Sequence, residues 1–197
     1  MNPFHPRRET DIAALIQAYP LAWILSGAAG AMAATPLPLL AETDADGVVM
    51  SLFGHFARSN PQVARLEADP RATILFMGAN GYIPPRLVSN PTWGATWNYA
   101  VVRFETELRF VPDETESSVE RLAAMLESEA DEPWTPQRMG PRLAELALRI
   151  IAFRARVLEI HPRFKLGQDE TDQTFDEIVT GLDDTALAAW MTRSRRA

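Results

Sequence analysis

The sequence predicts a mainly β protein with peripheral helices, its strands antiparallel and rolled into a closed or nearly closed barrel. Three observations predict this. Segments rich in β-branched, aromatic and aliphatic residues recur at 21–26, 31–40, 48–54, 71–77, 96–111 and 149–160. Most of the turns between them are short, which favours antiparallel neighbours. Helices are read at the flanks, over 61–68 and in the stretch between the last two strands.

Each element has a local reason. In 9–19, Ile12, Leu15, Ile16 and Tyr19 fall on one helical face, Thr10 is placed to cap, and Pro20 stops the helix. Strand 21–26 is followed by turn residues 27–30 and a partner strand over 31–40, where Pro36 and Pro38 point to an edge or a strand end. Residues 44–47 form a polar hairpin turn before strand 48–54. A short helix over 61–68 follows, with Asn60 as its N-cap and Pro61 in the first turn. Strand 71–77 leads into 78–95, rich in proline and glycine and read as loop. The long strand 96–111 sets Val101, Arg103, Glu105 and Glu107 on one side. Tyr99, Val102, Phe104, Leu108 and Phe110 are read on the other. Helix 113–129 carries Val119, Leu122, Met125 and Leu126 as its apolar stripe. A short helix at 141–147, a returning strand at 149–160 and two terminal helices at 171–180 and 183–190 complete the chain.

This reads as one domain over 1–197, with a helical insertion at 113–147 and C-terminal helices within 171–197. A length of 197 residues allows a sizeable core. The absence of cysteine removes disulfides and thiolate metal sites from consideration, and His5, His55 and His161 lack metal-ligand spacing. Nineteen Lys and Arg against 26 Asp and Glu give a net charge of −7, with no basic stripe of the kind that binds nucleic acid. The apolar run 21–40 is broken by Gly27, Gly30, Pro36 and Pro38, so it reads as strands rather than a membrane span. No targeting segment is evident, and a cytoplasmic protein is expected.

Three stretches carry residue types suited to chemistry. Residues 54–61, Gly-His-Phe-Ala-Arg-Ser-Asn-Pro, join a strand to a helix start. Backbone donors there, with His55, Arg58, Ser59 and Asn60, suit either a phosphate cradle or a plain helix cap. Thr96-Trp97-Asn98-Tyr99 sets two aromatic faces around an amide, which suits a planar heteroaromatic ligand or a barrel core. Phe164-Lys165-Leu166-Gly167-Gln168 holds the only lysine of the chain, placed to charge a ligand ring or to form a solvated turn. No P-loop, dinucleotide fingerprint or nucleophile elbow is present.

Taken in order, these pieces resemble the PaiB-type family of FMN-binding negative transcriptional regulators, within the flavin-binding split-barrel group. The resemblance rests on 54–61, on Pro36-Leu37-Pro38-Leu39-Leu40, on Gly81-Tyr82-Ile83-Pro84-Pro85, on Thr96 to Tyr99 and on Phe164 to Gln168. It spans about residues 1–182 and implies a six-stranded antiparallel split β-barrel that works as a homodimer. Each of its two FMN sites would be built from both subunits. It implies that His55, Ala57, Arg58, Ser59 and Asn60 serve the phosphate or ribityl side. Thr96, Trp97, Asn98 and Tyr99 would form the flavin wall, and Lys165 and Gln168 would reach the ring. The sequence departs from the family pattern at Pro85-Arg86-Leu87-Val88, at Ala95, and at Asp169 and Glu170, where the family carries Asn and a basic residue. Negative charge beside an anionic cofactor is expected to weaken its binding. No catalytic residue stands out. The readings are an FMN-dependent oxidoreductase, a flavin-binding regulator without direct DNA contact, a haem binder using His55 or His161, or an interaction protein without cofactor.

Overall fold

A computed structural model describes residues 3–28 and 30–195. Seven strands form one antiparallel sheet: β1 (Leu21–Ser26), β2 (Ala33–Pro38), β3 (Leu40–Thr43), β4 (Val49–Ala57), β5 (Arg71–Ile83), β6 (Thr96–Phe110) and β7 (Ile150–Lys165). Their order is β2-β1-β5-β6-β7-β4-β3. The helices are α1 (Thr10–Ala18), α2 (Gln62–Ala68), α3 (Thr115–Leu126), α4 (Arg142–Ala147), α5 (Asp172–Gly181) and α6 (Thr185–Arg195).

The strand count exceeds the expected six because the segment read as one strand over 31–40 is two. β2 pairs with β1, and β3 pairs with β4 at the opposite edge of the sheet. Only Leu39 separates them, so the two edges of the sheet are consecutive in the chain although no hydrogen-bond ladder closes them. The corner has a cause. The Leu39 side chain is fully buried and its N–H donates to the Pro20 carbonyl at 2.9 Å. Gly54 of β4 leaves it room: a Cβ there would lie 2.5 Å from Leu39 Cδ2 and 3.2 Å from the Pro38 carbonyl oxygen.

Two further corrections concern strand length. β5 runs through Gly78 and Gly81 to Ile83, so the first part of 78–95 is strand, interrupted by a register shift between Met77 and Asn80. Here glycine marks close packing instead of a loop. A Cβ at Gly78 would sit 2.8 Å from Leu15 of α1, and one at Gly81 would sit 2.9 Å from Leu187 of α6. β7 continues five residues past Ile160 to Lys165, carrying Pro162. Its pairing with β4 ends at Arg156, so its far half has a free edge. Phe164 N–H points to that edge and donates to the Phe4 carbonyl at 2.7 Å. Pro162 lies two residues away on the same side, where a missing N–H breaks no ladder bond.

The barrel interior holds Ile24, Phe56, Phe76, Phe104, Phe153 and Phe164, all fully buried. α1 and α6 add Leu15, Ile16, Leu187 and Met191 to this core. A smaller cluster of Leu40, Phe53, Val111, Leu122 and Ala152 lies under α3. The inward face of α3 is Thr115, Ser118, Leu122 and Ala123, whereas Leu126 of the expected stripe is exposed. Ionic contacts fasten this cover. Glu42 of β3 accepts from Arg121 of α3 and from Arg154 of β7, and Arg154 also binds Glu114. Both guanidiniums flank the Phe53 ring, at 4.6 and 4.5 Å from its centroid.

Asn60 caps α2 as expected, its Oδ1 accepting the Gln62 N–H at 2.9 Å. Thr10 does not cap α1. The side chain of Asp11 takes the Arg8 N–H instead, at 3.0 Å. No helix among the described residues is long and apolar enough to cross a membrane.

Candidate functional site

The expected site residues separate into two groups. The first lies where β4 ends and α2 begins. Arg58 N–H donates to Arg149 O at 2.8 Å, Asn60 N–H to Ala57 O at 3.0 Å, and Val63 N–H to Asn60 O at 3.0 Å. With the Gln62 N–H on Asn60 Oδ1, four of the backbone donors at this helix start are already engaged. What remains is the Ser59 N–H and side-chain chemistry. Arg58 and Ser59 are exposed, and the Arg58 guanidinium has no hydrogen-bond or ion partner among the described residues. Asn60 is tied inward, its Nδ2 donating to Thr35 Oγ1 at 3.0 Å. Behind it Gln62 is almost fully buried and fully bonded. It donates to Ile24 O at 3.0 Å and Ser26 Oγ at 2.9 Å, and accepts from Thr35 Oγ1 at 2.6 Å. The first group therefore stands on a rigid buried amide.

His55 belongs to neither group. It projects from β4 toward α3, with Nδ1 3.0 Å from the buried Ser118 Oγ. Ser118 spends its proton on Thr115 O at 2.7 Å, so the imidazole Nδ1–H is the donor between them. Burial pushes the His55 pKa below the ordinary histidine value. His161, by contrast, is exposed on the outer sheet face, 3.2 Å from Glu159.

The second group lies at the other end of the sheet, where β5, β6 and β7 finish together. Period-two alternation turns Trp97 and Tyr99 outward and Asn98 inward. Tyr99 thus shares a face with Val101 and Arg103, contrary to the expected assignment. Trp97 is 53% exposed and Tyr82, its cross-strand partner on β5, is 50% exposed. Their ring centroids are 6.2 Å apart at an interplanar angle of 50°. Lys165 Nζ binds Thr96 Oγ1 and donates to the Trp97 carbonyl at 3.1 Å, which leaves one N–H uncommitted. Arg163 donates to the Tyr99 hydroxyl at 2.9 Å and lies 4.9 Å from the Phe4 ring centroid. The result is an exposed aromatic wedge beside two fixed cations, suited to a planar anionic ring.

Asn98 and Gln168 are not part of that wedge. Asn98 is 2% exposed, with Nδ2 3.5 Å from Met191 Sδ of α6. Gln168 braces its own turn, accepting from Leu166 N–H at 2.7 Å and donating to Phe164 O at 2.5 Å. Tyr82 and Arg163 were not anticipated as site residues. Both become visible only once β5 is known to pass its glycines and β7 its proline.

The loop beside the wedge is held by carboxylates. Glu170 accepts the Trp93 indole N–H at 3.1 Å. Glu177 of α5 accepts Ser89 N–H at 2.8 Å and Ser89 Oγ at 2.6 Å, bonds that hold its carboxyl below the usual range. One of the two acidic departures thus has a structural task.

The two groups are far apart within one chain. Ala57 pairs with Ile150, the first residue of β7, and Lys165 is the last. About 3.3 Å per residue gives roughly 50 Å of strand between them. The two groups thus stand at opposite ends of β7.

Residues 1–159 match the family described as "Putative FMN-binding domain". Lys165 and Gln168 lie beyond the matched region. Among solved structures, a conserved hypothetical protein from Mycobacterium tuberculosis is similar at a TM-score of 0.60 and 14% identity, covering 84% of this chain and 89% of that one. An FAD- and haem-binding protein from Mycobacterium smegmatis is similar at 0.60 and 13%, covering 92% and 81%. A flavocytochrome from Azotobacter vinelandii gives 0.60 and 15%, covering 81% and 68%. At these identities the likeness is one of fold. No curated protein matches the sequence. With four-fifths of its length matched by the family and its sheet shared with split-barrel proteins, the chain belongs to the FMN-binding domain family.

Proposed function

We propose that the chain holds FMN at a site shared between two copies, with the aromatic wedge of one and Arg58 of the other as its two ends. The observation that carries this reading is the exposed Tyr82–Trp97 pair beside Lys165 in a chain of this family. The residues fit the cofactor. Trp97 and Tyr82 offer apolar ring faces, and Lys165 and Arg163 offer positive charge to a ring that becomes anionic on reduction. Arg58 and Ser59 offer free donors suited to a phosphate. FMN, when bound, supplies one- or two-electron redox chemistry. The chain orients the ring, and the cation of Lys165 favours its reduced form.

The outer sheet face supports pairing of copies. Trp23, Met77, Tyr82 and Trp97 are each about half exposed there. Arg103 stands opposite His161 across β6 and β7, and one step along Glu105 stands opposite Glu159. Arg103 beside the Glu105–Glu159 row, whose Glu105 it already meets at 3.3 Å within the copy, is self-complementary under a two-fold axis set between them. That axis lays the Trp97 end of one copy toward the Arg58 end of its partner.

The finer reading is a PaiB-type regulator with flavin-dependent oxidoreductase activity. It rests on the order of the motifs at 54–61, 81–85 and 96–99. With a net charge of −7, any regulatory effect is exerted through a metabolite and not through contact with DNA.

The test is FMN titration with an absorbance spectrum of the loaded protein. Trp97→Ala and Arg58→Ala should each weaken binding by about tenfold. Refolded as a mixture, the two variants should recover one intact site per heterodimer. Failure to complement would show that the two residues act in the same copy, and unaltered affinity in both would remove the site.

A further inference from the structure

We propose a second ligand site, in the cleft between α1, α6 and the C-terminal end of α3, that takes a small amphipathic carboxylate. The cleft is open to solvent, has a volume of about 1090 Å³, and is lined by neither the wedge residues nor Arg58. Its lining is mixed, with Trp190, Met125 and Leu126 among its apolar part. Leu126 is 59% exposed and lines the cleft beside Met125.

One end of the cleft is cationic and built. Asp11 is almost fully buried in α1 and uses both carboxylate oxygens locally. Oδ2 accepts the Arg8 backbone N–H at 3.0 Å, and Oδ1 accepts Arg193 Nε at 2.7 Å. A buried carboxylate thus fixes the Arg193 guanidinium, which also lies 5.3 Å from the Trp190 ring centroid. Only Nε is consumed, so the terminal N–H fork stays available to an anion. The Arg8 side chain lines the same end and has no partner among the described residues. Two guanidiniums with free donors beside Trp190, Met125 and Leu126 match a carboxylate or sulfonate carried on an apolar body. Glu129 lines the α3 rim and forms no ion pair among the described residues. It repels an anion from that side, which orients the ligand with its charged head toward α1 and α6.

The site is independent of the flavin reading, and its test keeps the two separate. The intact protein is titrated with the fluorescent probe anilinonaphthalene sulfonate, with and without FMN, and the bound probe is then challenged with decanoate or decanol. Decanoate should displace it and decanol should not. Arg8→Met and Arg193→Lys should each weaken the probe by about tenfold, and Leu126→Glu should abolish binding. Arg8 and Leu126 are exposed, so those variants fold, and Arg193→Lys keeps a cation beside Asp11. Equal displacement by decanol, undiminished binding in Arg8→Met and Leu126→Glu, or competition by FMN would each overturn the proposal.

Discussion

Replacing Gln62 by leucine tests whether the buried amide organises the first half of the site. Gln62 is 1% exposed and joins three elements: Ile24 and Ser26 of β1, Thr35 of β2 and the start of α2. Leucine fills a similar volume but removes all three bonds, leaving the Ile24 carbonyl, Ser26 Oγ and the Thr35 hydroxyl proton without this partner. At about 1 kcal/mol net for each lost bond, the change destabilises by about 3 kcal/mol. For a chain of this size that lowers Tm by roughly 6–12 °C. Urea unfolding should move to a lower midpoint with an unchanged slope, because the surface exposed on unfolding is the same. Gln17→Leu, on the exposed side of α1, is the control. Equal effects in the two variants, or a loss below about 1 kcal/mol for Gln62→Leu, would refute the reasoning, since a satisfied buried network is worth more than an exposed amide.

Three more outcomes are expected. Burial holds the His55 pKa below that of the unfolded chain, so the unfolded state binds the extra proton first and stability falls as pH drops below about 6.5. Against the wild type, His55→Asn should show a flatter stability profile between about pH 5 and 7, read from Tm across buffers; equal slopes would contradict it. Gly78→Val places a branched side chain where a Cβ already meets Leu15 at 2.8 Å, and should destabilise by about 1–3 kcal/mol in urea unfolding. Glu177→Gln should speed amide exchange in residues 84–95 at neutral pH. The Glu177 pKa is lowered, so its hold on Ser89 is complete above the ordinary carboxylate range and is lost as pH falls through the folded value. The wild type should approach the variant in acid, and a variant identical to it at pH 7 would sink the idea.

The sequence by itself determined the antiparallel strands with flanking helices, the FMN-binding family, and Trp97 and Lys165 of the wedge, though not Tyr82 or Arg163. Local pattern suffices for these: alternation along 96–110, helical spacing along 10–18 and a capping Asn60 are properties of neighbouring residues. Its errors came where distant contacts overrule local preference. Gly78 and Gly81 look like loop residues, yet Leu15 and Leu187 fill the space their missing side chains leave, so β5 runs on to Ile83. Pro162 looks like a strand end, yet it stands on a free edge, so β7 carries Arg163 and Lys165 to the wedge. Run 31–40 looks like one strand until Gly54 admits Leu39 as a corner. Only the tertiary structure decided which half of the expected site faces which way. A strand's side chains alternate, so one residue's difference in register sends Asn98 into the core while Trp97 and Tyr99 face out. Their partners across the ladder are set by pairing, and that information is spread over the whole chain.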